Sequence, residues 1–335
     1  MSRNLKPAWQ ATLDDYPTAL TVSRDGKHIA TGTASGKLCV FEAASGALIH
    51  SLDAHANGVL ALAFGNKTLA SAGQDGQARL WDLRTGREIA AISGGSGWVS
   101  HLQWTPDGKR LALAAGKCVK LVNDEGALLQ QWTASAGING LAFNAVGGLL
   151  AATAGAEVLL WRAYDGGLDR TLKWVSTLIN AHWSPDGKVL AAGSIDKSVH
   201  FWRAGAWLDS KMGGYAKKPA VLAWSADSKH LATTGEDSII VWPFTGKGPE
   251  GSKPMQLLHH LRAPEVLVAH PKKPLLLSGS PDKSLVLWDL KAGESPQAQA
   301  TLGAAVTALA FHPALPMAYG TDADGLLAAY RTDAT

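Results

Sequence analysis

Apolar residues in this chain come in short runs separated by turn residues. The stretch from Ala54 to Leu83, AHANGVLALAFGNKTLASAGQDGQARLWDL, is the clearest copy of the pattern. Three runs, Val59 to Phe64, Thr68 to Ala72 and Gln77 to Trp81, are broken by Gly65-Asn66 and by Gln74-Asp75-Gly76. Apolar runs bounded by such turns predict a small antiparallel meander. A meander cannot bury both faces alone, so it must stack on copies of itself.

The copies can be counted. The residue that ends the third run recurs as Phe41, Trp81, Val122, Trp161, Trp202, Trp242, Trp288 and Tyr330, at steps of about 40 with one longer. The turn before the second run returns as Arg24-Asp-Gly-Lys27, Pro106-Asp-Gly-Lys109, Pro185-Asp-Gly-Lys188 and Ala226-Asp-Ser-Lys229. A second turn recurs around Asp75, Asp196, Asp237, Asp282 and Asp324. Eight repeats result, with no residues left for another domain, so residues 1–335 are expected to form one domain.

The repeat resembles the WD repeat: Gly-His, a strand, a Ser-Pro-Asp-Gly turn, Ser-Gly-x-x-Asp-Gly and Trp-Asp. Ala54-His55, Ser71, Asp75-Gly76 and Trp81-Asp82 match it, as do Ser278-Gly279-Ser280-Pro281-Asp282 and Trp288-Asp289. The resemblance covers the whole chain. It implies an all-β fold, a β-propeller of four-stranded antiparallel blades around a central channel.

Each repeat is followed by a further run that predicts a fourth, outer strand: Ala47 to Asp53, Glu88 to Ser93, Leu128 to Thr133, Leu168 to Lys173, Trp207 to Met212, Met255 to His259 and Ala298 to Leu302. The eighth repeat ends at Tyr330 without one. The chain start, Pro7 to Leu13, has the right alternation to supply it. The expectation is therefore eight blades, the N-terminal strand closing the last, where seven is commoner in the family.

Composition narrows the partners. The net charge of +3 supports neither nucleic acid nor membrane as a main partner, since either would call for a basic patch or stripe. No run of about 18 apolar residues exists, and the first residues lack a signal-peptide stretch. A cytoplasmic protein, monomeric apart from its partner, is expected. Its Ala-rich, loop-short style hints at a bacterial one. Cys39 and Cys118 fall on third strands of different repeats, too far apart for a disulfide, and are expected to be free.

Turns between second and third strands, and links between successive blades, fall on one end of the sheets, the top face of the family. There Ser93-Gly-Gly-Ser-Gly-Trp98 offers an aromatic as a binding anchor. Trp174, Tyr215 with Lys217 and Lys218, and Arg262 with Glu265 occupy equivalent links. Together they predict an aromatic and basic rim for an acidic or mixed apolar-acidic protein or peptide, against the alternative of ordinary solvated loops. Trp104, Trp183 and Trp224 end first strands and are expected to pack between blades. The segment Thr245 to Pro254 accounts for the long step and predicts a mobile loop.

His55, Ser71, Asp75 and Trp81 could pass for a catalytic set. The resemblance implies instead a structural tetrad, His bridging the turn Asp and the strand Ser, and Ser contacting the Trp nitrogen. Only the second repeat shows the whole set at this level. Nucleotide-loop, nucleophile-elbow and His-Glu-x-x-His motifs are absent. The histidines are scattered, and His259 and His260, adjacent on a predicted strand, would point to opposite faces. No metal and no cofactor are expected. The reading is a non-enzymatic scaffold presenting loops to a protein or peptide, with a propeller enzyme or small-ligand or metal sensor using the central channel as the alternative.

Overall fold

The computed structural model describes residues 3–235, 237–246 and 248–333, and its regular structure is entirely β. Eight four-stranded antiparallel sheets follow one another along the chain, the blades of a β-propeller, and one of them carries an added fifth strand. Blade 2, built from Val59–Phe64, Thr68–Gly73, Gln77–Asp82 and Glu88–Ser93, stands for the rest.

Contacts group the chain into two compact units. Thr18–Ala181 holds blades 1 to 4, and Met1–Pro17 with His182–Thr335 holds blades 5 to 8. Repetition extends to fine detail. The first strand bulges at the same place in blades 2, 3, 4 and 8, between Val59 and Ala61, Val99 and His101, Ile138 and Gly140, and Val306 and Ala308. A bulge adds a residue and strengthens local twist.

Cores lie between successive sheets. In the first unit, Leu121 and Trp132 of blade 3 pack with Leu141, Phe143, Leu150 and Leu159 of blade 4. In the second, Val241 and Leu257 of blade 6 pack with Leu276, Val286 and Trp288 of blade 7. The second strands are almost wholly buried, and the third strands alternate more, with half-buried positions between buried ones in blades 2, 3 and 6. Trp104 is buried and donates from Nε1 to Ala63 O at 3.0 Å, and Trp224 donates to His182 O at 3.3 Å. Both thus sit against the preceding blade, as expected. Trp183 packs edge-on to Trp207 of its own blade, ring centroids 6.0 Å apart.

The N-terminal segment completes blade 8. Pro7–Thr12 pairs antiparallel with Leu326–Arg331, giving the expected closing strand. It also does something the sequence pattern did not predict. Arg3–Asn4 pairs in parallel with Pro296–Thr301 as the fifth strand of blade 7. Leu5, between these two short pairings, is 5% exposed and enters the core shared by blades 7 and 8 beside Leu302 and Tyr330.

Cys39 and Cys118 are free thiols. No helix among the described residues is long and apolar enough to cross a membrane. The segment expected to be a mobile loop is tied down in its described part. Arg203 Nη2 donates to Gly248 O at 3.0 Å and Glu250 Oε2 at 2.8 Å, and Ser210 Oγ donates to Glu250 Oε1 at 2.8 Å.

Candidate interaction site

The tetrad of blade 2 is assembled as the resemblance implied. His55 is buried in the link before the first strand; its Nε2 lies 2.8 Å from Ser71 Oγ and its Nδ1 2.9 Å from Asp75 Oδ1. Trp81 Nε1 donates to Ser71 Oγ at 2.9 Å. Asp75 is ionised and can only accept, so the neutral His55 ring carries its proton on Nδ1, and Nε2 accepts from Ser71, which itself accepts from Trp81. Burial would raise the Asp75 pKa, but hydrogen bonds from His55, Arg79 and the Gln77 N–H outweigh it and hold the carboxyl at about 2. Burial lowers the pKa of His55 despite the carboxylate. Gly73 leaves room for the ring, since a Cβ there would lie 2.4 Å from His55 Nδ1.

The structure corrects the expectation that this set occurs once. In blade 7, Trp288 Nε1 donates to Ser278 Oγ at 2.8 Å, and His260 Nε2 lies 2.7 Å from the same oxygen. His260 Nδ1 meets Ser284 Oγ at 2.5 Å, and Ser284 donates to Asp282 Oδ1. A serine thus relays between the His and the Asp. The sequence reading missed it because it placed His259 and His260 on or beside a strand; the strand ends at Leu258 and His260 turns inward from the link.

Blade 6 uses a third version. Tyr215 Oη accepts from Trp242 Nε1 at 2.6 Å and pairs with Thr233 Oγ1 at 2.8 Å, while Thr233 donates to Ile240 O at 3.1 Å. Tyr215 fills the place of the His. A Cβ on Gly235 would lie 2.7 Å from its ring, as one on Gly73 would meet His55. Tyr215, expected on the rim, is therefore a buried side chain whose hydroxyl is engaged, and burial pushes its pKa up to about 12. The available signal was spacing: Tyr215 precedes Thr233 by 18 residues, as His260 precedes Ser278.

The remaining rim residues divide between the two compact units. In Thr18–Ala181, Trp98 is 59% exposed after a loop whose Gly95 and Gly97 have φ of 99° and 105°, values that favour glycine. Trp174 is half-buried, and the exposed side chain of that link is its neighbour Val175. In the second unit, Lys217, Lys218, Arg262 and Glu265 are all exposed. Lys217, Arg262 and Glu265 converge on one concave site of about 500 Å³. Asp237, from the turn between second and third strands of blade 6, lines it too, with Leu261 and Pro281. Links and turns thus meet at one end of these sheets, as the meander argument required. Asp237 was read from sequence only as a turn residue, and Leu261 not at all.

Segment 261–265 is pinned from behind. Leu261 N donates to Asp282 Oδ2 at 2.6 Å, Ser280 Oγ donates to Arg262 O at 2.9 Å, and Glu265 N donates to Gly279 O at 3.0 Å. Asp282, held at about 2 by hydrogen bonds from Ser284 and Leu261 against the opposing effect of burial, belongs to the blade 7 network. The buried network therefore fixes the loop that presents Leu261 and Arg262. Among the described residues, no group of three or more His, Cys, Asp or Glu is placed to hold a metal.

This combination of four-stranded sheets, buried His-Ser-Trp networks and displayed links defines a WD-repeat β-propeller. The sequence model described as "WD domain, G-beta repeat" matches residues 46–82 and 168–203, so these two segments carry repeats of that family. It is 26% identical over 299 residues to the B-type cell cycle switch protein ccs52A of Medicago truncatula, covering 86% of this chain and 53% of that protein. It is 23% identical over 280 residues to the anaphase-promoting complex subunit cdc20 of Dictyostelium discoideum, covering 82% and 49%. The chain thus spans about half the length of these eukaryotic relatives. Among solved structures, the computationally designed Ika8 protein superposes with a TM-score of 0.82 at 20% identity, over 96% of this chain and 97% of that one, a likeness of fold.

Proposed function

We propose that this protein is a non-catalytic interaction scaffold that presents the links and turns at one end of its sheets to a protein or peptide partner. The observation that carries the reading is the concave site of Lys217, Asp237, Arg262 and Glu265, where charged side chains from three separate connections stand together on pinned backbone. Loops held in place need little ordering on binding, so more of the contact energy appears as affinity. The relatives lend support in kind, one being named as a subunit of a complex. A cytoplasmic setting is part of the proposal, and the two free thiols fit a reducing compartment.

The test is affinity purification with mass spectrometry, comparing wild type with a Lys217→Glu, Arg262→Glu variant and with Trp98→Ala, each checked for unchanged melting. Loss of an abundant partner from either variant supports the scaffold. An unchanged partner list for both would refute this end of the sheets as the binding surface.

A further inference from the structure

The most exposed large apolar side chain of the second unit is Leu261, at 88%. A free loop could turn such a leucine inward, but here the backbone on either side is held by Asp282 and Ser280, so the side chain stays in water. It is thus an apolar contact whose burial is reserved for a partner, at little further cost in chain ordering. Around it the site carries two cations, Lys217 and Arg262, and two anions, Asp237 and Glu265. Among the described residues, none of these four side chains is engaged in an ion pair, although all line one concavity. Neighbouring opposite charges that do not neutralise one another remain available to charges brought from outside, and the arrangement selects a ligand of both signs over one of either. The volume of about 500 Å³ is in the range of sites that hold small ligands or a few residues of peptide.

We infer that this site takes an extended peptide segment in which an apolar side chain lies between residues of opposite charge. The inference rests on the scaffold reading above and narrows it to one partner chemistry and one pair of adjacent links.

The probe is a library of random dodecapeptides displayed on phage, selected on the purified full chain. Enriched peptides are then synthesised and titrated against wild type, three variants of this site and Trp98→Ala, all of equal melting temperature. The expected result is enrichment of sequences with an apolar residue flanked by a carboxylate and a cation. Leu261→Ala should weaken their binding at least about tenfold. Arg262→Glu and Lys217→Glu should each weaken it about fivefold or less, and raising the salt to about 1 M should erase most of the charge effect. Peptides enriched without charges, or indifferent to all three variants, overturn the inference. If such peptides lose binding on Trp98→Ala instead, the scaffold reading survives without it; if neither set of variants matters, both fall. Displacement by a mixture of free lysine, leucine and glutamate would reassign the site to small zwitterions and also overturn it.

Discussion

Replacing Ser71 by alanine removes one oxygen and strands two buried partners. The hydroxyl accepts from Trp81 Nε1 at 2.9 Å and pairs with His55 Nε2 at 2.8 Å, and the residue is fully buried. Neither partner can turn away: Trp81 is 7% exposed, and the His55 ring is fixed on its other side by Asp75 at 2.9 Å. An unsatisfied buried group costs about 1–3 kcal/mol, so two cost about 2–6, and a loss of about 3 kcal/mol is expected once local relaxation is allowed for. That is a large share of the 5–15 kcal/mol typical of a folded protein. Ser71→Thr supplies the control. Thr31 and Thr233 face their third strands as Ser71 faces Arg79, two residues before the residue in the Trp81 position, so a threonine fits the site. It should lose less than about 1.5 kcal/mol, the hydroxyl being kept. The assay is urea unfolding by far-ultraviolet circular dichroism and by tryptophan fluorescence, whose coincidence tests whether one transition is observed. If alanine stays within about 0.5 kcal/mol of wild type, or threonine is as damaging as alanine, the hydrogen bonds are not what the tetrad contributes.

Trp81→Ala in the same blade should cost about 3–5 kcal/mol by urea unfolding, through cavity formation as well as the lost bond. Tyr215→Phe should cost about 2 kcal/mol by the same measurement, since Trp242 and Thr233 both lose a partner; a neutral result would return Tyr215 to the rim as a contact residue. Acidification should destabilise the protein in two windows. Burial depresses the folded pKa of His260 to about 4, below the ordinary 6.5, so the unfolded chain binds the extra proton and stability falls as pH drops from about 6.5 to 4. Asp282, held at about 2, contributes stability present above about 3.8 and lost as pH falls toward 2. His260→Gln should flatten the upper window by about one proton in midpoint against pH. Leu5→Ala should cost about 2–3 kcal/mol in thermal unfolding if the N-terminal segment is packed into blades 7 and 8 as seen, and nothing if it is loosely attached.

Much of the fold was legible because a repeat checks itself. The outer strands expected at Glu88 to Ser93, Leu128 to Thr133 and Leu168 to Lys173 are found with those bounds, and the N-terminal strand lies against the eighth repeat. Alternation and turn chemistry are local, and eight copies average out the faults of each. The site was less legible. Lys217, Arg262 and Glu265 were placed on the right links, yet Leu261 went unnoticed because its exposure depends on what pins the loop. Tyr215 looked like a surface aromatic after two glycines, and burial reverses that reading.

By itself the sequence determined the repeat, the number of blades and the strand that completes the last one, since each follows from periodicity and turn residues close together in the chain. Only the tertiary structure decided which polar side chains are buried and which charges share a surface. Those properties arise between residues 18 or more positions apart, as where His260 reaches Ser278 and where Lys217, Asp237 and Arg262 meet. Pairing on that scale is set by packing, and the alternation and turns within one repeat record it only as a spacing, such as the 18 residues shared by Tyr215–Thr233 and His260–Ser278.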